Sequence, residues 1–268
     1  MTNSNQKIRN LKGFRDFLPS QMKVRNYVIG IFTKTFQQFG FEEIKTPTLE
    51  YASTLLGKYG PEADKLIYQF KDKGDRQIAL RYDLTVPLAK FMTLYQSQIK
   101  LPFKRYQIQP VWRADKPQKG RYRQFTQADI DILGPQSPVN DAEIIAIIDN
   151  ILQQLDFQDF SIHLNSRQVL FQFLDTIGIK KDKNTILQSL DKYQKIGQQG
   201  VTKELIDKGL NQSLISKLFD QIKNSKPDNY LQQVIDIAQQ LGLNSSNYIF
   251  DPTMVRGLDY YTGPIFET

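Results

Sequence analysis

Two strand-like segments joined by a basic loop constrain the fold of this chain more than any other feature. Residues 104–112 and 124–133 are rich in residue types that favour strands, and residues 113–123 connect them. Successive side chains of a strand point to opposite faces, so the second segment has one apolar face and one polar face. The more polar side of this second segment carries Phe125, Gln127, Asp129, Asp131 and Leu133.

The two faces predict different environments. We expect the apolar face, with Thr126, Ala128, Ile130 and Ile132, to pack. An aromatic ring, an amide and two carboxylates on the other face suit a ligand platform, because this face directly follows the basic loop. An exposed polar face of an antiparallel sheet would show the same alternation, so both interpretations stay open at this point.

The segment around the loop accounts for the charge of the whole chain. Residues 100–123 hold eight basic side chains and one acidic one, Asp115, and their balance equals the net charge of +7 of the 268-residue chain. Positive charge concentrated in one place points to an anionic ligand such as a phosphate or a nucleic acid. A solvated lysine-rich loop would have the same composition.

Composition restricts the chemistry that the chain can perform. It has no cysteine and one histidine, His163, which excludes disulfides, thiolate nucleophiles and multi-histidine metal centres. We predict a structural role for His163, as is usual for a lone histidine. The N-terminal residues are polar, and no window approaches the roughly 18 apolar residues of a membrane span. These features predict a cytoplasmic chain with no membrane association.

The first third of the chain predicts alternating helices and strands. Ser20 is placed to cap a helix with one apolar stripe, and Gly40 ends that helix. Residues 41–47 then have the pattern of a strand, and residues 66–70 and 77–81 that of a hairpin.

The rest of the chain changes from mixed to helical patterns. A short helix is predicted from Thr85, and Asn140 with Glu143 predicts a capping box before an isoleucine-rich helix. Residues 160–164 have the pattern of a strand. Residues 166–241 then have the pattern of short amphipathic helices, and strand-like alternation resumes only at residues 247–250 and in the last dozen residues.

Three strings of residues are longer than isolated motifs. They are residues 80–87 (LRYDLTVP), 109–134 (QPVWRADKPQKGRYRQFTQADIDILG) and 255–268 (VRGLDYYTGPIFET). Together they resemble the catalytic core of histidyl-tRNA synthetases, a family of class II aminoacyl-tRNA synthetases. The second string is similar to motif 2 and the third to the first histidine-specific signature, and residues 40–50 are placed like motif 1.

The resemblance implies an α+β fold, with a class II antiparallel sheet of about six strands flanked by helices and with a helical insertion domain. Residues 1–165 would form the catalytic core with motifs 1 and 2, and residues 166–241 the insertion. Residues 242–268 would return to the core with the histidine-specific signature. Motif 3 and the anticodon-binding domain of the family are absent from these 268 residues, so we expect a shortened product or a longer gene.

The activity implied by the resemblance is ATP-dependent activation of histidine to histidyl-adenylate, followed by transfer to the acceptor end of tRNA(His). Mg²⁺ would arrive with ATP, with no tightly bound protein cofactor and no metal site of the protein. The family also implies a homodimer through motif 1. Two rivals stay open: a regulatory paralogue that partners ATP phosphoribosyltransferase in histidine biosynthesis, and a non-catalytic fragment.

The resemblance also assigns the residues that handle ATP. Activation places negative charge on the attacking carboxylate and on the α-phosphate, and a planar guanidinium can bridge both groups. Arg113 is similar to the motif 2 arginine with this role, and Arg256 to the histidine-specific arginine opposite it. Phe125 matches the residue that stacks on adenine and Arg121 one that reaches the distal phosphates, whereas Asp115 stands where the family usually has a glutamate near the adenine.

Histidine recognition is assigned in the same way. Asp83, Thr85 and Gln127 match positions that bind the α-ammonium group, and Asp131 and Tyr261, with Tyr260 beside them, match positions that contact the imidazole ring. Independently of the family, Gln127 and Asp131 lie about 13 Å apart on one strand face, enough to contact both ends of a small amino acid. Asp83 could alternatively be a helix cap.

Overall fold

The structure is a computed structural model that describes residues 8–58, 64–180, 183–255 and 262–268. The chain divides into two compact units, Met1–Pro135 and Gln136–Thr268. Both contain helices and strands, so the predicted α+β class is confirmed. None of the helices that the structure describes combines the length and apolar character that crossing a bilayer requires.

The first unit places two three-stranded sheets beside two longer helices. Its elements in chain order are α1 (Pro19–Gln38), β1 (Glu42–Glu43), β2 (Leu49–Tyr51), α2 (Ala52–Leu55), β3 (Gln69–Lys71), β4 (Gln77–Leu80), α3 (Thr85–Tyr95), β5 (Phe103–Trp112) and β6 (Gln124–Leu133). The strand order is β1-β5-β6 in one sheet and β2-β4-β3 in the other. The predicted hairpin is therefore present as β3 and β4.

The β5–β6 ladder is the longest among the described residues and has the predicted strand limits within one residue. It is antiparallel from Phe103 opposite Leu133 to Trp112 opposite Gln124. β1 joins in parallel and is only two residues long, although a strand was expected as far as residue 47. Thr46 donates its backbone N–H to the Gln109 side chain at 3.1 Å, so this group is not available to a sheet ladder.

The buried side chain of Arg81 connects three segments of the first unit. Arg81 is fully buried, and its guanidinium donates to the carbonyl oxygens of Thr46 at 2.7 Å and Pro110 at 2.8 Å. Its own carbonyl oxygen accepts from the backbone N–H of Trp112 at 3.1 Å. Because a guanidinium offers several donors in a rigid plane, one side chain ties three segments together just before Tyr82.

Helix α1 begins two residues earlier than predicted, and the prediction of Ser20 as its cap is wrong. Pro19 is the first helical residue, and Leu18 is the N-cap. The side chain of Gln21 accepts from the backbone N–H of Leu18 at 2.8 Å. Proline is pre-organised for the first helical position, so Ser20 falls inside the first turn. Gly40 follows the helix with φ of +79°, as expected for the end of a helix.

The second unit combines a small sheet with an all-helical segment. Its elements are α4 (Pro138–Gln154), β7 (Ile162–Ser166), α5 (Arg167–Thr176), α6 (Lys183–Leu190), α7 (Tyr193–Asp207), α8 (Gln212–Lys223), α9 (Asn229–Gln240), β8 (Tyr248–Phe250) and β9 (Pro264–Glu267). The sheet has the order β8-β7-β9, parallel between β7 and β8 and antiparallel between β7 and β9. The strands in the described ranges thus form three sheets of three rather than one of about six.

The predicted capping box of α4 is wrong. Ser137 is the N-cap, and its side chain accepts from the backbone N–H of Val139 at 3.3 Å. Asn140 and Glu143 lie within the helix, because Pro138 sets the first helical position three residues earlier than the capping-box pattern does.

The helices α5 to α8 share one apolar core, which includes Leu174, Leu187, Leu205 and Leu218. This segment coincides with most of the predicted helical insertion, whose domain boundaries stay a prediction. Helix α9 packs separately against α4 and the small sheet, through a cluster that includes Leu231.

Candidate active site

The polar side chains of β6 face a matching row on β5. Strand register places Arg105 opposite Asp131, Gln107 opposite Asp129, and Gln109 opposite Gln127. Directly opposed residues share one face of a sheet. We call these six residues the polar face. The sequence analysis missed its β5 half, although Arg105, Gln107 and Gln109 alternate in their strand as their partners do.

The polar face is less exposed to solvent than the opposite face of the strand pair, contrary to expectation. Arg105 and Gln107 are fully buried, and Gln127, Asp129 and Asp131 are partly buried. On the opposite face, which was expected to pack, Thr126 and Ala128 are exposed. Thr126 instead accepts a hydrogen bond at 2.9 Å from Arg25, a charged residue of α1, which explains why this end of the face stays at the surface.

One end of the polar face is a carboxylate cluster, formed by Asp83, Asp129 and Asp131, around the guanidinium of Arg105. Arg105 forms an ion pair with Asp131. Burial raises the pKa of Asp131 and of Asp129, and the nearby Asp83 raises both further, whereas Arg105 lowers them. Burial also lowers the pKa of Arg105 itself. Three carboxyl groups around one cation suit a ligand that brings positive charge or N–H donors.

Gln127 links this cluster to the centre of the polar face. Its side-chain nitrogen donates to both carboxylate oxygens of Asp129, each at 2.9 Å. Its carbonyl oxygen Oε1 is buried and has no hydrogen-bond partner within the part of the chain that is described.

Asp83 and Thr85 stand at the start of α3. A carboxylate oxygen of Asp83 accepts from the backbone N–H groups of Thr85 at 3.1 Å and Val86 at 3.2 Å. Leu84 holds the N-cap position, and Asp83, one residue earlier, accepts hydrogen bonds from the first turn of the helix. The same carboxyl group also acts electrostatically on Arg105 and Asp131, so these hydrogen bonds and a place in the carboxylate cluster are compatible.

The other end of the polar face holds Arg113 between two aromatic rings. Its guanidinium carbon lies 4.5 Å from the ring centre of Tyr82 and 5.1 Å from that of Phe125. Its Nε donates to the Tyr82 carbonyl oxygen at 3.1 Å. Cation–π contacts and this hydrogen bond fix the guanidinium plane. Tyr82 was missed by the sequence analysis, and its position directly before Asp83 carries no pattern that would reveal it.

The basic loop is anchored at its base and exposed at its tip. Arg123 donates through Nε to the Asp115 carbonyl oxygen at 3.0 Å and through its backbone to the Gly13 carbonyl oxygen at 2.9 Å. A Cβ atom at Gly13 would lie 2.8 Å from the Arg123 side chain, so glycine permits this close approach. Arg121 at the exposed tip lies 3.7 Å from the Asp115 carboxylate, and Lys119 is exposed as well.

The remaining predicted site residues, Arg256, Tyr260 and Tyr261, lie outside the described residues. His163 belongs to the second unit, where its ring nitrogens lie 2.9 Å from Asp251 Oδ2 and 3.1 Å from Ser161 Oγ. Within residues 8–58, 64–180, 183–255 and 262–268, no group of three or more histidine, aspartate or glutamate side chains is arranged to hold a metal ion.

The chain is similar to proteins of one family along nearly its whole length. The sequence profile described as histidyl-tRNA synthetase matches residues 13–268. Two curated relatives, each named histidine--tRNA ligase, come from Azobacteroides pseudotrichonymphae and Treponema denticola. Each is 40% identical to this chain and aligns with 98% and 96% of it, respectively. The chain spans 66% and 62% of the length of these relatives.

Solved structures give the same fold. The crystal structure of histidyl-tRNA synthetase from Nostoc sp. PCC 7120 superposes with a TM-score of 0.86 at 29% identity, over 97% of this chain and 64% of that one. A structure from Bacillus halodurans, titled as an ATP phosphoribosyltransferase regulatory subunit/histidyl-tRNA synthetase, has a TM-score of 0.83 at 20% identity. It covers 100% of this chain and 73% of that one, and at this identity it shows the fold alone. With the profile and the 40% identical relatives, these matches establish that the chain belongs to the histidyl-tRNA synthetase family.

Proposed function

We propose that this chain is the catalytic core of a histidine–tRNA ligase, which activates histidine with ATP and transfers it to the acceptor end of tRNA(His) in the cytoplasm. One observation supports the proposal: the strand pair has a carboxylate cluster at one end, at Asp131, and a fixed guanidinium at the other, at Arg113. The first suits the amino acid and the second suits phosphate, so the two substrates would meet between them.

The chemistry of adenylation fits this arrangement. The histidine carboxylate attacks the α-phosphate of ATP, forming an acyl–phosphate bond as pyrophosphate leaves. Negative charge gathers on the phosphoryl oxygens in the transition state. Arg113 would contact both the carboxylate and the α-phosphate from one side, and Arg256 would contact the phosphate from the other. Arg113 is held by Tyr82 before substrate binds, so little reorganisation is required.

ATP would lie along the Arg113 end of the polar face. Phe125 would stack on adenine, Asp115 would contact the base, and Arg121 would reach the distal phosphates. The exposure of Lys119 and Arg121 at the tip of the basic loop supports contact with phosphate groups. Mg²⁺ would enter with ATP as part of the substrate and neutralise its phosphates.

Histidine would occupy the carboxylate cluster. Asp83, Thr85 and Gln127 would receive the α-ammonium group, and Asp131 with Tyr260 and Tyr261 would contact the ring nitrogens. Desolvating a carboxylate without a new N–H partner is costly, so a site of this kind rejects a side chain that lacks those groups.

This assignment predicts selective binding of histidine. Calorimetric titration is expected to give a Kd for histidine of about 1 mM or below and no measurable heat with phenylalanine, because phenylalanine has no ring N–H group for Asp131 to accept from. Equal heats for both amino acids, or no heat for either, would contradict the assignment.

The regulatory paralogue of ATP phosphoribosyltransferase is the second candidate, because the Bacillus halodurans structure shares the fold. A histidine sensor needs the carboxylate cluster but has no use for a phosphate-binding arginine. The packing of Arg113 between Tyr82 and Phe125 therefore favours the synthetase.

A homodimer is the expected assembly. Helix α1, which directly precedes the segment that resembles motif 1, was expected to carry one apolar stripe. Phe36 on that stripe is buried, whereas Val24 and Tyr27 are 65% and 64% exposed. Leu49 and Tyr51 of β2 are also exposed. Apolar side chains exposed on neighbouring elements of one unit suit an interface with a second copy.

Sedimentation would measure this assembly directly. At micromolar concentration, the chain is expected to sediment at twice its mass of 31.1 kDa. Val24→Asp is expected to shift the population toward the monomer, because the interface would then bury an unpaired carboxylate. Val139→Asp, at an exposed valine of the second unit, is the matched control. A species of 31.1 kDa alone for the unaltered chain would contradict the proposal.

A further inference from the structure

The side-chain amide of Gln127 is held in one of its two orientations. Its nitrogen Nε2 lies 2.9 Å from both carboxylate oxygens of Asp129. An ionised carboxylate only accepts hydrogen bonds, so the donor end of the amide must face Asp129. The carbonyl oxygen Oε1 consequently points away from Asp129, and it is the buried atom without a partner in the described ranges.

The neighbouring amides do not satisfy that carbonyl oxygen, because their own groups are used elsewhere. Gln109, directly across the ladder from Gln127, donates to the Thr46 carbonyl oxygen at 3.3 Å and accepts from the Thr46 N–H at 3.1 Å. Gln107 donates to Thr46 Oγ1 at 2.8 Å and to Gln109 Oε1 at 2.5 Å. Among the residues that the structure describes, Gln127 Oε1 is thus the buried side-chain acceptor of the polar face that has no partner.

We propose that Asp129 is a positioning residue that turns the carbonyl oxygen of Gln127 toward the α-ammonium group of the amino acid. This inference rests on the proposed function and adds a residue that does not itself contact the substrate. With the amide reversed, Gln127 would present N–H donors to an ammonium group, and two sets of donors repel each other. Asp129 thus makes the pocket specific for a cationic amine through the orientation of its neighbour.

Replacing Asp129 with asparagine removes this control. The new side chain can donate as well as accept, so both orientations of the Gln127 amide become available. We expect Asp129→Asn to weaken histidine binding about tenfold in calorimetry. Binding of an analogue that lacks the α-amino group is expected to stay within about twofold, whereas general damage to the pocket would weaken both ligands. Ala128→Ser, at an exposed position of the same strand, is the matched control.

A double-mutant cycle separates positioning from direct electrostatic attraction between Asp129 and the ammonium group. Gln127→Met removes the acceptor, and if Asp129 acts only through Gln127, adding Asp129→Asn to Gln127→Met costs no further affinity. Losses that multiply in the double variant would overturn the inference, as would unchanged binding by Asp129→Asn. In either case, selective histidine binding by the unaltered chain would leave the proposed function standing. Absence of histidine binding by the unaltered chain would contradict the function itself.

Discussion

Replacing Arg113 with lysine is expected to lower the rate of histidine-dependent exchange between pyrophosphate and ATP by about 100-fold. The guanidinium is held by the Tyr82 carbonyl oxygen and two aromatic rings, so its plane is fixed before ATP binds. A lysine ammonium keeps the charge but cannot bridge a carboxylate and a phosphate in one plane. The loss is therefore expected in the rate of the chemical step.

The affinity for histidine provides the internal comparison. It is expected to change less than about twofold in Arg113→Lys, because the carboxylate cluster lies at the other end of the polar face. Lys116→Met, at an exposed position of the same loop, is expected to keep most of the exchange rate. An Arg113→Lys variant with an unchanged rate would show that Arg113 does not contact the reacting groups.

Replacing Arg105 with methionine is expected to lower the free energy of unfolding by about 3 kcal/mol at about pH 7.5, the low end for a broken buried pair, because it leaves partly buried carboxylates without their cation. Arg105 is fully buried and pairs with Asp131, and it also acts on Asp129. Urea denaturation would measure the difference. Arg76→Met, which breaks the exposed pair with Asp72, is the control and should cost far less.

The destabilisation by Arg105→Met should depend on pH in a defined direction. Burial raises the pKa of Asp129 and Asp131, so each ionised group costs stability above its folded-state pKa, and this cost disappears as pH falls through that value. Arg105 opposes the rise in both pKa values, and its removal enlarges that cost. The difference in unfolding free energy between the variant and the unaltered chain should therefore shrink as pH falls from neutrality toward the ordinary aspartate pKa of about 4. A difference that is independent of pH would contradict this account.

Local sequence patterns predicted the limits of the two strands well, but not the residues that face each other across the pair or the face that is buried. Alternation in residues 124–133 correctly placed Gln127, Asp129 and Asp131 on one face. It could not show that β5 supplies Arg105 opposite Asp131, because register between strands is a tertiary property. Burial is a tertiary property as well, so alternation within one strand could not show which face of the strand pair is less exposed to solvent.

The first residues of helices α1 and α4 show a second limit of prediction from local sequence. Ser20 and Asn140 are both good capping residues, yet a nearby proline sets the first helical position in each case. Two local preferences competed, and the fixed φ of proline prevailed. The candidate site residues rest on long strings and stay predictions. Tyr82 acts through its backbone carbonyl and ring face in a packing arrangement that no local pattern encodes.

The polar face of β5 and β6 is proposed to bring histidine and ATP together for adenylation. Exchange of labelled pyrophosphate into ATP measures that reaction, on the longest natural protein that contains this sequence. We expect exchange that requires histidine, is not supported by phenylalanine, and falls about 100-fold in Arg113→Lys. Histidine binding without any exchange would contradict the proposed adenylation and favour the regulatory paralogue.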